Sequence, residues 1–212
     1  MQTAALLTLA QWLSPAFPTG AFAYSHGLEQ VVAEGTVTDA ASLAAWLEGV
    51  LCHGAGWQDA VLLSLALRPG ADHLALADLA RALAPCAERL VETEEQGAAL
   101  ARTVSALTGR KVAPAPLPVA LGQAAAPLDL PAVQVIALAL QAFAGNLTSV
   151  ASRAIPLGQT PAQAVLAGLA PRIETLAIRA ALAEEEDLGA AALAADMAAM
   201  SHETLDVRLW KT

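Results

Sequence analysis

Ser25 stands in Ala23-Tyr24-Ser25-His26-Gly27, an A-x-S-x-G version of the hydrolase nucleophile elbow. That motif does chemistry when a strand feeds it and a helix leaves it, so that the serine is held on a strained turn. Here the segment Ser14-Pro15-Ala16-Phe17-Pro18-Thr19-Gly20 precedes it, and no alternating or β-branched run offers a strand. Asp59, Asp72 and a second histidine are the right types for a triad, yet no spacing ties them to Ser25. The competing role for Ser25 is to cap or line a helix running through Leu28 and Val32, and that role is preferred over a serine hydrolase.

The other reactive types are equally scattered. Cys52-His53, Asp72-His73 and His202-Glu203 are sequence neighbours, but adjacent residues on a helix point about 100° apart and do not chelate together. No H-E-x-x-H exists, since Thr204-Leu205-Asp206 follows His202-Glu203. A tight metal site within one chain is not expected; histidines from two copies converging at an interface would be the remaining route to a weak one. Cys52 and Cys86 show no C-x-x-C spacing, so neither a disulfide framework nor a zinc site is indicated. No G-x-x-x-x-G-K-[ST] phosphate loop is present, and nucleotide hydrolysis by this chain alone is not expected. No cofactor is called for.

The elements that would position these residues are helices. Of 212 residues, 53 are Ala and 35 are Leu, whereas aromatics make up only 4%. Ala and Leu are strong helix formers, while strands favour β-branched and aromatic residues, so an all-α class is expected. A helix from Thr3 to Leu13 opens the chain, and the Pro-rich segment 14–20 must leave helical geometry. Thr38-Asp39 offers a cap for a stripe of Leu43, Trp46, Leu47, Val50 and Leu51 at helical spacing. Gly54-Ala55-Gly56 breaks it; a second helix runs from about Trp57 to Leu67, and a third starts at Asp72 and is stopped or interrupted by Pro85. Cys86 to Leu107 reads as a longer helix with Glu88, Arg89, Glu92, Glu95 and Arg102 on its polar face. Gly109, Pro114, Pro116 and Pro118 then form a turn or short linker. No repeat and no second composition regime divides residues 1–212, so one domain is expected.

Charge is informative where it is missing. The net charge is −9 and the isoelectric point near 4.8, the wrong sign for a general nucleic-acid binder. Residues 1–28 carry no Asp, Glu, Lys or Arg, and residues 112–171 carry only Asp129 and Arg153. Leu130 to Ser152 is long enough for a membrane span. Gln134 and Gln141 on one face, Gly145-Asn146, and the lack of a flanking Lys/Arg cluster argue instead for a central buried helix at about 130–150 within a helical bundle. The absence of a basic leader is consistent with a cytoplasmic location and no membrane association. The apolar segment 1–28, with Phe17 and Phe22 beside a loop, is either tucked into the core or covered by a partner.

Glu184-Glu185-Glu186-Asp187 reads as a solvated junction before a helix from Leu188 to Met200, where its charge suits the helix N-terminus. The chain then runs Leu205-Asp206-Val207-Arg208-Leu209-Trp210-Lys211-Thr212. A disordered tail rarely holds two leucines, a valine and a tryptophan, and Arg and Trp are types that dominate protein–protein contacts.

Three separated segments resemble one family. Leu13 to Glu29, with Pro18, Gly20, Phe22, Tyr24, His26 and Glu29, is similar to the opening signature of the UreF urease accessory proteins. Ile155-Pro156-Leu157-Gly158-Gln159-Thr160, with Gln163, resembles their central motif. Met200-Ser201-His202-Glu203-Thr204-Leu205, then Arg208-Leu209-Trp210, resembles their C-terminal signature. Thr19 departs from a common hydrophobic position, Ala23 from a common hydroxyl, and the Trp210-Lys211-Thr212 ending from a Phe or Tyr followed by a small residue.

The resemblance implies an all-helical, non-catalytic scaffold or chaperone, dimeric, without a cofactor. It would bind UreD (or UreH) and recruit the GTPase UreG for GTP-dependent nickel delivery to apo-urease, regulating that GTPase. It further implies that Pro18, Gly20, Phe22, Tyr24, His26 and Glu29 lie near the UreG-facing or dimer region. His202, Glu203, Arg208, Leu209 and Trp210 would belong to a tail, 201–212, that docks into UreD, with Arg208 steadying its ordered form.

Overall fold

The computed structural model describes residues 2–189 and 191–211, and among them there is no strand. Within these residues eleven helices follow one another: α1 (Gln2–Trp12), α2 (Leu28–Ala33), α3 (Ala40–His53), α4 (Ala55–Leu67), α5 (His73–Ala82), α6 (Ala87–Thr108), α7 (Leu117–Ala125), α8 (Ala132–Ala154), α9 (Gln159–Gly168), α10 (Ala170–Ala181) and α11 (Leu193–His202). The all-α expectation holds.

The starts and stops are local chemistry. Asp39 accepts the Ser42 amide (2.8 Å) while Ser42 Oγ accepts the Asp39 amide (3.1 Å), a reciprocal cap that starts α3. Asp72 accepts the Leu74 and Ala75 amides at 3.1 and 3.0 Å to start α5. Gly109, with φ +69°, ends α6 in the left-handed conformation that glycine adopts freely. α7 begins at Leu117 with Pro118 in its first turn, where a missing amide hydrogen costs nothing. The proline cluster at 114–118 therefore ends in a helix N-terminus.

Packing centres on two helices. α8 lies against α10, α9 and α4 through Val135, Ile136, Leu140, Ala144, Leu147, Val150 and Ala151. α4 is more completely enclosed: α7, α10, α3, α8 and α5 surround it, and every residue from Ala60 to Ala66 is buried. α8 and the stretch Ala40–Leu67 are long and apolar enough to cross a membrane by composition, but their apolar residues are used against neighbouring helices. Each fully buried Leu or Ile contributes about 1.5–3 kcal/mol, and the buried core runs without interruption from Leu9 to Trp210. Where α6 meets the chain entering α7 there is no room for a side chain: a Cβ on Gly97 would lie 1.9 Å from the Ala115 carbonyl oxygen.

The uncharged opening segment divides. Leu9, Trp12 and Phe17 enter the core, whereas Leu7 and Phe22 stay exposed, Phe22 at 63%. The acidic run differs from expectation. Glu185–Asp187 forms its own short 3-10 turn, Glu184 N donates to Asp187 Oδ2 (2.9 Å), and α11 starts only at Leu193. The run is held by Arg68, whose Nη1 lies 2.5 Å from Glu184 Oε2, and by the Trp57 indole, which donates to the Asp187 carbonyl at 2.9 Å.

Candidate functional site

The opening and C-terminal signatures meet on the face of α6, although Glu29 and His202 stand 173 positions apart. His26 (φ +60°) and Gly27 (φ +75°) are two successive left-handed residues that turn the chain into α2. At Gly27 a β-carbon would stand 2.9 Å from the Ala199 amide nitrogen, so a glycine is needed both for the turn and for the approach of α11. Ser25 is fully buried and its Oγ accepts the Glu29 amide at 3.2 Å. It serves the start of α2, and no strand leads into it, so the elbow geometry of a hydrolase is not built here.

Glu29, on α2, is buried and receives the returning chain. Its Oε1 accepts the Leu209 amide (2.7 Å), its Oε2 accepts the Trp210 amide (3.1 Å), and His202 Nε2 lies 2.9 Å from the same Oε2. The other ring nitrogen of His202 is 2.8 Å from Glu88 Oε2, and Arg208 Nη1 donates to Glu88 Oε1 at 2.6 Å. His202, fully enclosed, thus bridges carboxylates from α2 and α6. Glu203 accepts the Ala87 amide at 2.9 Å and so caps α6 from a distance of 116 residues.

Further along α6, Glu95 accepts hydrogen bonds from the Tyr24 hydroxyl and from Lys211 Nζ, the latter at 2.7 Å. Burial, reinforced by Glu95, pushes the Tyr24 phenol up and keeps it a donor. The Lys211 amide donates to the Ala23 carbonyl at 2.7 Å. From α8, Asn146 Nδ2 donates to the Ala21 and Tyr24 carbonyls (2.9 and 3.2 Å), and the Arg153 guanidinium sits 5.3 Å from the Trp210 ring centroid.

Between these two anchor points lies a buried ionic cluster. Glu92 is 2.5 Å from Arg89 Nη1 and 3.5 Å from His26 Nδ1, and Asp59 of α4 is 3.7 Å from Arg89 Nη2. His26 packs edge-on against Phe143, with centroids 5.0 Å apart. Burial opposes ionisation of Glu92, but Arg89 and His26 outweigh it and bring its carboxyl down to about 2. Burial pushes Asp59 up to about 6 because Arg89 only partly offsets it. The same burial, with Arg89 nearby, pushes His26 down, towards its neutral form.

Of the sequence-derived site residues, Tyr24, His26, Glu29, His202 and Trp210 are buried within the chain, whereas Pro18, Phe22, Glu203, Arg208 and Leu209 remain exposed and Gly20 is half-buried. Val207 and Leu209 point outward, at 77% and 76% exposure. Sequence reasoning missed the receiving side, Glu88, Glu92 and Glu95. Their spacing at i, i+4 and i+7 on one helix face, opposite histidine, tyrosine, arginine and lysine in the two signatures, was the available signal.

Fold and junction together define an all-α protein whose returning tail is locked onto its opening segment through a ladder of acids on one helix. A family model for UreF matches residues 37–170. That range contains the central motif but neither of the two segments that meet on α6. Full-length relatives cover both: urease accessory protein UreF of Cereibacter sphaeroides strain KD131 is 65% identical over 210 residues, spanning 99% of this chain and all of that protein. Proteins of the same description from Paracoccus denitrificans and Jannaschia sp. are 57% and 51% identical, over 99% and 100% of this chain and 97% and 96% of theirs. The chain belongs to the UreF family of urease accessory proteins.

Proposed function

We propose that the chain is a non-catalytic scaffold of urease maturation in the cytoplasm. In this reading it binds UreD (UreH) through the tail 201–212 and recruits the GTPase UreG through the opening segment. It thereby supports GTP-dependent nickel insertion into apo-urease, as a homodimer within the complex, and regulates the GTPase. The observation that supports this most is the arrangement of the tail. Its polar groups are spent on the chain itself, through Glu29, Glu88 and Glu95, while Val207 and Leu209 are left exposed beside it. Apolar side chains held outward on an ordered backbone are what a docking edge requires. Phe22 offers a second such residue on the opening segment.

The test is size-exclusion chromatography of the chain co-expressed with its UreD and UreG counterparts. Co-elution of all three, with this chain present in two copies, is the expected result. A folded chain that both partners pass by would overturn the scaffold reading.

A further inference from the structure

The junction contains a group whose role goes beyond holding the fold, provided that the tail is the partner-docking edge proposed above. Besides the Lys211 Nζ–Glu95 pair, the tail is tied at three levels. Lys211 N binds the Ala23 carbonyl, Arg208 binds Glu88, and the amides of Leu209 and Trp210 bind the two oxygens of Glu29 separately, Leu209 to Oε1 and Trp210 to Oε2. The first two ties act at the ends of the segment and one of them through a flexible side chain. The pair of bonds to Glu29 fixes two successive peptide planes, and therefore the direction in which the Leu209 side chain leaves the backbone. With the backbone held so, Trp210 turns inward, to 8% exposure, and Leu209 outward, to 76%.

We propose that Glu29 is a positioning residue: its carboxylate sets the backbone at 209–210 so that Leu209 is presented, beside the exposed Val207, as the docking edge. The chemistry requires a carboxylate. Two fixed N–H donors reach different oxygens of the same group, and an ionised carboxylate accepts on both sides, whereas an amide of the same shape accepts on one and donates on the other. Glu29→Gln keeps the volume but sets a donor against a backbone N–H.

The experiment is amide hydrogen exchange read by mass spectrometry on the purified full chain, with capture of the UreD counterpart measured in parallel. In Glu29→Gln the peptide covering 203–211 exchanges at least about tenfold faster, while peptides from α4 and α8 exchange as in the parent. A purely structural role for Glu29 would instead loosen all of these together, and that outcome, or an unchanged tail, overturns the proposal. Should Glu29→Gln fail to fold, Leu209→Pro removes one of the two donors from the exposed side and is expected to speed exchange at Trp210 and Lys211; unchanged exchange there overturns the proposal equally. Leu209→Asp keeps both amides; it is expected to leave tail exchange as in the parent and to lose capture. If Leu209→Asp still captures the partner, the docking reading fails, and with it the edge assigned to the tail. Tail exchange in Glu29→Gln reports on the backbone alone, so the two failures are told apart.

Discussion

Asp59→Asn should make the protein more stable at pH 8 and have little effect near pH 4. Three cavities share Asp59 in their lining, where α4 faces Arg89 of α6. Burial raises its carboxyl from the ordinary 3.8 to about 6. A raised value means that the folded protein holds this proton more tightly than the unfolded chain does. Stability is therefore lost as pH climbs from 3.8 through 6 and is constant above. At 1.36 kcal/mol per pH unit the full cost of ionisation would be about 3 kcal/mol. The side chain keeps 31% of its surface in contact with solvent, which screens part of that cost, so about 1–2 kcal/mol is the expected gain for the neutral amide. Glu92 works in the opposite direction: its carboxyl lies at about 2, so its contribution is present above about 4.5 and is lost as pH falls towards 2. His26, pushed down by burial, likewise adds stability as pH rises towards 6.5, so the slope due to Asp59 is read from the difference between parent and variant. Urea unfolding followed by helical circular dichroism, for parent and Asp59→Asn at pH 8, 6 and 4.5, gives the answer. A midpoint for the variant about 0.5 M higher at pH 8, falling to about a third of that difference at pH 4.5, is expected. A variant equal to or weaker than the parent at pH 8 would refute the reasoning, since it would mean that the attraction to Arg89 outweighs burial.

Other perturbations probe the packing and the junction. Gly97→Ala places a methyl against the Ala115 carbonyl, the Leu117 nitrogen and the Pro116 carbonyl carbon, all backbone atoms; despite the better helix propensity of alanine, thermal melting should show a loss of about 2 kcal/mol or more. Asn146→Ala removes a donor shared by the Ala21 and Tyr24 carbonyls, leaving the first only the Tyr24 amide, and should cost about 1–2 kcal/mol in the same assay. Arg208→Ala removes a half-exposed pair with Glu88. It should change global stability by less than about 1 kcal/mol yet weaken assembly with the UreD and UreG counterparts in co-elution, and unchanged assembly would count against the role given to the arginine.

Helices that begin or end at a local cap are legible in the sequence. Asp39, Asp72 and Gly109 mark real boundaries, because each of these caps is a contact between residues two to four apart. The C-terminal helix starts five residues later than its composition suggests, since an acidic run suits a helix start and a self-capped turn equally well. α7 and α9 occupy a stretch with few charges to mark a polar face, and their apolar neighbours across the core define them; α10, with Arg172, Glu174 and Arg179 opposite Ile173, Leu176, Ala177 and Ala180, does carry a legible amphipathic pattern. At the site, the residue types of both signatures are recognisable, but the polar stripe on α6 reads as a solvated face. Arg89 and Glu92 are buried there because their partners come from α4 and from the opening loop, and helical spacing is the same whether a polar face meets water or another charge.

Glu29 and its amide donors are separated by 180 and 181 positions, and that separation has a consequence for the order of synthesis. The opening segment leaves the ribosome first, yet the groups that complete it are made almost a whole chain later. Until they arrive, a carboxylate on α2 and another on α6 face a site without their donors, and the Tyr24 ring lacks the Lys211 side chain that lies over it. The core built from α3 to α10 can condense meanwhile through contacts nearer in sequence. The opening segment, translated long before the tail, is therefore finished only when the tail arrives, and the interval between the two is when this protein most needs to be kept from aggregating.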